Sequence, residues 1–317
     1  LLIVRHIAEV PESLKGAVIA IGNFDGVHRG HQALIETAAA LAKARDVPLA
    51  VMVFEPPPQD FFNPGGEPYR LTPFRVKAKL IANLGADALF AFPFDADLAH
   101  LPAPDFVLKV LVEGLKAACV VVGEDFQFGA GKGGDATSLA YMGEMEGFVT
   151  AIVPPVMNGD EKISSTTIRQ LVRQGRPETA ADLLGRPYSI EGRVMRGDAR
   201  GRTLGFPTAN LSLTGYLRPA FGIYAVRATL FQDDKPVSCH TGVANLGIRP
   251  TFRIETPLLE TFLFDFNRDI YDHHMAVALV SFLRPEEKFH NVSALVAQMT
   301  LDKDVAKAAL ERSPHRW

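Results

Sequence analysis

Cysteine is scarce in this chain: Cys119 and Cys239 are the only two in 317 residues, and neither has a metal or redox spacing. A disulfide scaffold is excluded, and a reducing, cytoplasmic setting is expected. Long apolar runs are also missing, since nothing approaches the ~20 residues of a membrane-spanning helix. The chain opens on Leu1, carries Arg5, His6 and Glu9 and then Pro11, which does not read as a signal peptide. Basic and acidic residues nearly balance, 33 against 36 for a net charge of −3, so no nucleic-acid-binding surface is expected. There is no internal repeat and no low-complexity segment. The rest is ordinary soluble composition, 47% hydrophobic and 22% charged, with length for about two domains.

The most informative stretch runs from Ile19 to His31, Ile-Ala-Ile-Gly-Asn-Phe-Asp-Gly-Val-His-Arg-Gly-His. Ala17 to Ile21 reads as a short buried strand. Gly22 and Gly26 bracket a tight turn. A helix then starts near His31, with Leu34, Ala38 and Leu41 at helical spacing. Strand, turn and helix start form an anion site, because free N–H groups and the positive dipole end face the crevice. His28 and His31 stand at that end and can stabilise charge on a phosphate in transfer. Alone, the stretch indicates nucleotidyl transfer and leaves the acceptor open.

Further strands are expected at Leu49 to Phe54, Ala88 to Phe92, Ala118 to Val122 and Phe148 to Val153. Helices are expected from a Thr72 cap with Pro73 at the first position, over Pro104 to Leu115, and over Ser138 to Met145. Strands alternating with helices predict a doubly wound parallel sheet with its ligands at the strands' carboxyl ends. That crevice gathers His28, His31, the Phe61-Phe62 pair, Asp125 to Phe128, and Ile163 to Arg169. In the last segment, hydroxyls and Arg169 either hold a polyphosphate or simply cap a helix.

Helical turns around Gly175 and Pro177 end at Leu184-Gly185, and the pattern then changes, so the domains are expected at 1–184 and 185–317. Strands over Tyr188 to Met195, Gly222 to Phe231, Val237 to Val243, Leu258 to Phe266 and Met275 to Leu283 predict a small antiparallel barrel. Gln232 to Lys235 reads as a hairpin turn. A terminal helix spans Asn291 to Leu310, with Leu295, Val296 and Met299 facing inward. Arg196 to Asn210 carries Gly197, Gly201 and Gly205, with Arg200 and Arg202 beside them, which is a phosphate-binding loop or a solvated turn. Thr208 and Asn210 offer two oxygens suited to Mg²⁺. Glu260 reads on its own as a solvated strand residue.

Gly22 to His31, Val122-Gly123-Glu124-Asp125-Phe126-Gln127-Phe128-Gly129 and Ile163 to Arg169 resemble the prokaryotic bifunctional riboflavin kinase/FMN adenylyltransferase family. Gly205-Phe206-Pro207-Thr208-Ala209-Asn210 and Gly242 to Phe252 are similar to its kinase half. The resemblance implies a Rossmann-like nucleotidyltransferase domain, then a riboflavin kinase-like β-barrel with a C-terminal helix. It implies that Gly22, Asn23, Phe24, Asp25, Gly26, His28, His31, Ser164, Ser165, Thr166 and Arg169 hold ATP for attack by FMN. Phe62, Asp125 and Phe128 would form the flavin pocket. In the kinase half, Gly197, Arg200, Gly201, Gly205, Pro207, Thr208 and Asn210 would bind ATP with Mg²⁺, and Glu260 would be the base. The expected partners are riboflavin, FMN and ATP, not nucleic acid or membrane, with weak self-association left open. Two departures stand out: Pro57 replaces a family histidine in Glu55-Pro56-Pro57-Pro58, and Phe262 replaces another after Glu260. A kinase with weakened adenylyl transfer and a non-catalytic flavin sensor are the competing readings.

Overall fold

Apolar runs build the first sheet of the computed structural model, which describes residues 1–196, 205–248 and 257–314. The chain lays down β1 (Leu2–Val4), β2 (Val18–Ile21), β3 (Leu49–Phe54), β4 (Ala88–Phe92) and β5 (Cys119–Gly123). A short antiparallel ladder of β6 (Gln127–Phe128) with β7 (Gly134–Asp135) comes after them, then β8 (Val149–Val153). The six long-sheet strands lie in the order β1-β4-β3-β2-β5-β8, and all their pairings are parallel. Such strands are covered on both faces and so are apolar throughout. Ile19, Ile21, Met52, Phe90 and Val120 feed one core. Val18, Ala20, Val51, Leu89 and Val121 feed the other.

Helices α1 (Arg29–Arg45), α2 (Pro58–Phe62) and α3 (Phe74–Asn83) succeed the early strands. Leu34, Ile35 and Ala38 of α1 and Ala78 and Ile81 of α3 fill the second core. Later come α4 (Ala96–Ala99), α5 (Ala103–Phe106), which runs on as a π-helical turn over Val107–Gly114, and α6 (Ala136–Glu146). From β2 the chain moves outward to β3 and β4, then returns to the far side of β2 with β5. The strand order reverses there, which makes the loops after β2 and β5 the walls of the ligand crevice. A hairpin of β9 (Met157–Asn158) and β10 (Glu161–Lys162) completes this compact unit, Leu1–Glu67 with Thr72–Ser164.

Two details correct the sequence reading. Strand β1 is new; at three residues it is too short to display a period. Thr72 does not cap α3: Pro73 is the cap residue and Phe74 the first helical one, because the Thr72 hydroxyl is engaged elsewhere.

The second unit, Pro68–Leu71 with Ser165–Trp317, opens on α7 (Ser165–Arg173) and α8 (Pro177–Leu184). By compactness these helices group with the strands after them, whereas the sequence expectation sets the domain boundary beyond them, at Leu184-Gly185. Six strands come next: β11 (Tyr188–Arg193), β12 (Thr208–Ser212), β13 (Gly222–Gln232), β14 (Lys235–Ile248), β15 (Pro257–Leu263) and β16 (His274–Arg284). They pair antiparallel in the order β11-β16-β13-β14-β15-β12. A bridge between Met195 and Asn210 joins the two edges and curls the sheet into a barrel. Asp233 and Asp234, at φ 49° and 62°, make the tight left-handed turn between β13 and β14.

Helix α9 (Val292–Arg312) covers one face of this sheet, and its Asn291 cap accepts from the Ala294 N–H. Ala306 and Leu310 pack on Ala225, Phe264 and Val280. Leu295, Val296 and Met299, expected to be the buried face, are only half-buried. The anchor is instead Asp302, which accepts from Arg284 Nε at 2.9 Å and Nη2 at 2.7 Å, and from Gln298 at 2.9 Å. Among the described residues no helix is long and apolar enough to cross a membrane.

Candidate active sites

The first site grows from the turn between β2 and α1. Phe24 and Val27 sit at φ 49° and 41°, and Gly26 at 84°. For non-glycine residues such angles cost about 1–3 kcal/mol each and persist only when their surroundings hold them. The Phe24 ring is fully buried in the core. The Gly26 N–H donates to Thr72 Oγ1 at 2.8 Å, and Thr72 donates its N–H (3.0 Å) and hydroxyl (3.3 Å) to Asp25 Oδ1. The Phe24 and Asp25 side chains are therefore supports of the turn. Gly22 is half-buried and Asn23 exposed at its open side.

His28 is the cap of α1: its Nδ1 accepts from the His31 N–H at 3.3 Å. Accepting at Nδ1 leaves Nε2 as the donor of the neutral ring. A Cβ on Gly30 would stand 3.1 Å from His28 Cε1, so glycine is what lets the ring fold back over the helix start. The His28 and His31 rings stack, and Phe24 backs His31 at 5.2 Å. Two imidazoles at a helix N-terminus make an anion site with directed donors.

The expected flavin residues are linked by rings the sequence reading did not connect. Phe62, which is exposed, meets Phe94 at 5.8 Å; Phe94 meets Phe54 at 5.9 Å, and Phe54 meets Phe106 at 6.3 Å. Phe106 then reaches Phe128 at 5.6 Å, which stacks on Phe126. Asp125 accepts from Lys162 at 2.6 Å, and that bond holds its carboxyl below the usual range. Pro57 caps α2 without any side-chain hydrogen bond. Ser164 directly precedes α7. In the second unit Ser165 and Thr166 open α7, and Arg169 donates from Nε to the Tyr69 carbonyl at 2.9 Å, its guanidinium 5.2 Å from the Tyr69 ring.

The second site is written in strand register. Thr208 lies opposite Phe262 and Asn210 opposite Glu260, which puts Thr208, Asn210 and Glu260 on one face. On its other side Glu260 faces Asn245 of β14. Phe206 meets the Phe262 ring at 5.0 Å, Gly205 turns at φ 82° before the strand, and Pro207 is exposed. Asn210 is 3% exposed, and among the described residues the Oδ1 atoms of Asn210 and Asn245 are buried without a hydrogen-bond partner. Gly197, Arg200, Gly201 and Arg202 lie outside the described residues. Asn245 was not singled out from the sequence; only its register with Glu260 marks it.

Residues 10–167 match the family described as FAD synthetase, and residues 184–310 the family described as riboflavin kinase. The bifunctional riboflavin kinase/FMN adenylyltransferase of Escherichia coli (strain K12) is 39% identical over 304 residues, covering 96% of this chain and 95% of that protein. The protein of the same name from Bacillus subtilis (strain 168) is 37% identical over 303 residues, covering 94% and 93%. A crystal structure named as that of a macrolide-efflux protein from Streptococcus pneumoniae superposes with a TM-score of 0.86 at 31% identity, over 96% of this chain and 98% of that one.

Proposed function

The chain belongs to the bifunctional riboflavin kinase/FMN adenylyltransferases, and we propose that its two sites divide flavin cofactor synthesis between them. The barrel phosphorylates riboflavin with ATP to give FMN. The parallel-sheet unit joins FMN to AMP from a second ATP, giving FAD and pyrophosphate. We assign 1–184 to the second activity and 185–317 to the first, in keeping with a riboflavin kinase match that begins at residue 184.

In the kinase step Glu260 takes the proton of riboflavin's terminal hydroxyl, whose oxygen then bonds to the γ-phosphorus as ADP leaves. Thr208 and Asn210 would hold Mg²⁺: the buried, unpartnered Asn210 Oδ1 suits a hard cation that takes few protein ligands. When bound, the ion neutralises phosphate charge. Gly205 and Pro207 are assigned to the ATP loop, as the resemblance implies also for Gly197, Arg200 and Gly201, which lie outside the described residues.

In the adenylyl step the FMN phosphate is already ionised and attacks the α-phosphorus directly, so no base is required. His28, donating from Nε2, and His31 stabilise the charge gathering on that phosphate. The turn from Gly22 to Gly26 and Ser164 seat the ATP within this unit, and Ser165, Thr166 and Arg169 keep the ATP-binding role that the family resemblance implies for them. Phe62, Asp125 and Phe128 seat the flavin, and the aromatic chain between them offers its ring a surface.

The observation that carries this reading is the Asn210–Glu260 pair on one barrel face, in the same chain as the stacked histidines on a helix cap. A cytoplasmic setting accompanies it, supported by two free thiols, Cys119 and Cys239. Loss of adenylyl transfer rests on Pro57 alone, and an efflux role only on the name carried by the Streptococcus pneumoniae structure. Incubation with riboflavin, ATP and Mg²⁺, and then chromatography of the flavins, tests the proposal. FMN and FAD are expected; FMN alone would remove the adenylyltransferase, and no product would remove both activities.

A further inference from the structure

Neither step described above uses Asn245, yet it stands next to the base. Its β14 position pairs directly with Glu260, as Asn210 does from β12, so the carboxylate lies between two amides on one face. Adjacent strands are about 4.8 Å apart, which puts Asn245 roughly two strand spacings from Asn210. Thr208 and Asn210, which would hold Mg²⁺, both belong to β12, on the opposite flank of Glu260 from Asn245. The other flank ends in an amide oxygen that is buried and accepts nothing among the described residues. Buried acceptors are paired as a rule, so this one points to a donor that arrives with the substrate.

The charge on that flank narrows the choice. Glu260 is on one side, and two residues along β14 the Glu286 carboxylate lies over Gly247, in the space a Cβ would fill. Two carboxylates repel a phosphate. A cation bound between Glu260 and Asn245 would occupy the lone pairs that Glu260 needs as a base. A neutral hydroxyl meets neither objection, and riboflavin's side chain is a run of hydroxyls.

Building on the kinase reading, we propose that Asn245 is a positioning residue for phosphorylation, its Oδ1 accepting from the secondary hydroxyl adjacent to the reacting primary one. The proton of the primary hydroxyl still passes to Glu260, and the oxygen–phosphorus bond forms as the bond from the γ-phosphorus to the β–γ bridging oxygen breaks. Asn245 exchanges no proton. It fixes the rotation of the terminal carbon so that the primary oxygen faces both Glu260 and the γ-phosphorus.

The test is a cycle between residue and substrate, using the whole chain, Asn245→Ala, riboflavin, and riboflavin lacking that secondary hydroxyl. Each single change should lower kcat/KM for flavin phosphorylation about tenfold, the worth of one neutral hydrogen bond, and the two together should lower it no further. Multiplying losses, or an Asn245→Ala enzyme equal to wild type, would overturn the proposal. So would a variant restored by extra Mg²⁺, which would make Asn245 a metal ligand. Asn245→Val, which suits a strand, replaces alanine if the melting temperature falls, and is judged by the same cycle. A wild-type chain that makes no FMN would sink the kinase reading itself.

Discussion

The imidazoles of His28 and His31 lie face to face, ring centroids 3.6 Å apart and planes 16° from parallel. Because His28 caps α1, in the proposed adenylyl site one residue would serve the helix and the phosphate together. The two roles can be separated. Asparagine is a good cap without an imidazole, so His28→Asn should leave the melting temperature nearly unchanged and reduce FAD formation from supplied FMN roughly 10²-fold. His31→Ala should do the same to FAD formation, while riboflavin phosphorylation stays normal in both. Equal loss of both activities in chromatographic assays would mark the histidines as structural.

Thr72 ties the strained turn down. Thr72→Val leaves the buried Gly26 N–H without this acceptor and removes the hydroxyl bond to Asp25, while the backbone N–H of residue 72 still donates to that carboxylate; the loss is about 1–3 kcal/mol. Thermal unfolding should show it as a lower melting temperature, accompanied by slower FAD formation and unchanged FMN formation.

Glu260→Gln keeps the side chain's size and removes its basicity. FMN formation should fall roughly 10²- to 10⁴-fold, the span for a positioned base. FAD formation from supplied FMN should continue, since that step starts from an ionised phosphate. Full kinase activity in this variant would place the base elsewhere.

Asp302→Ala removes the two-bonded carboxylate partner of the Arg284 guanidinium, whose own pKa that carboxylate holds above its usual value. The pair is largely buried, with side-chain exposures of 9% and 20%, so its loss should cost about 3 kcal/mol. Chemical denaturation should register that cost, and FMN formation should fail at a lower temperature than in wild type.

Pro57→His restores the residue usual in the family. Pro57 precedes α2 as its cap and makes no side-chain bond there, so the fold should survive, and adenylyl transfer should rise or stay level. Abolished FAD synthesis would show that this loop does not correspond to the family's.

What could be read from the sequence was what is local. β3 and β4 are uninterrupted apolar runs, the Asp233-Asp234 turn comes from two residues, and the histidine pair needs only a strand before it and a helix after. What could not be read was pairing across distance. Thr72 has the local look of a helix cap, yet its bonds go to Gly26 and Asp25, far back in the chain. Strand β12 passed as a loop signature because Thr208, Asn210 and Ser212 are polar on one side and only Ala209 and Leu211 are apolar on the other. Asn245 lies within the Gly242 to Phe252 motif, but its place beside Glu260 emerges only from the β14–β15 register.

Among the described residues the barrel has one fault line. Around most of its circumference neighbouring strands share ladders of five or more residue pairs, but between β11 and β12 the closure is the rung from the Met195 N–H to the Asn210 carbonyl, 2.9 Å long. If the sheet springs open, it parts there first, on the outer flank of the Asn210–Glu260–Asn245 row and not through it. The proposed chemistry is thus mounted on strands that the β12–β15 and β14–β15 ladders hold together, and the clasp meets it only through the Asn210 carbonyl.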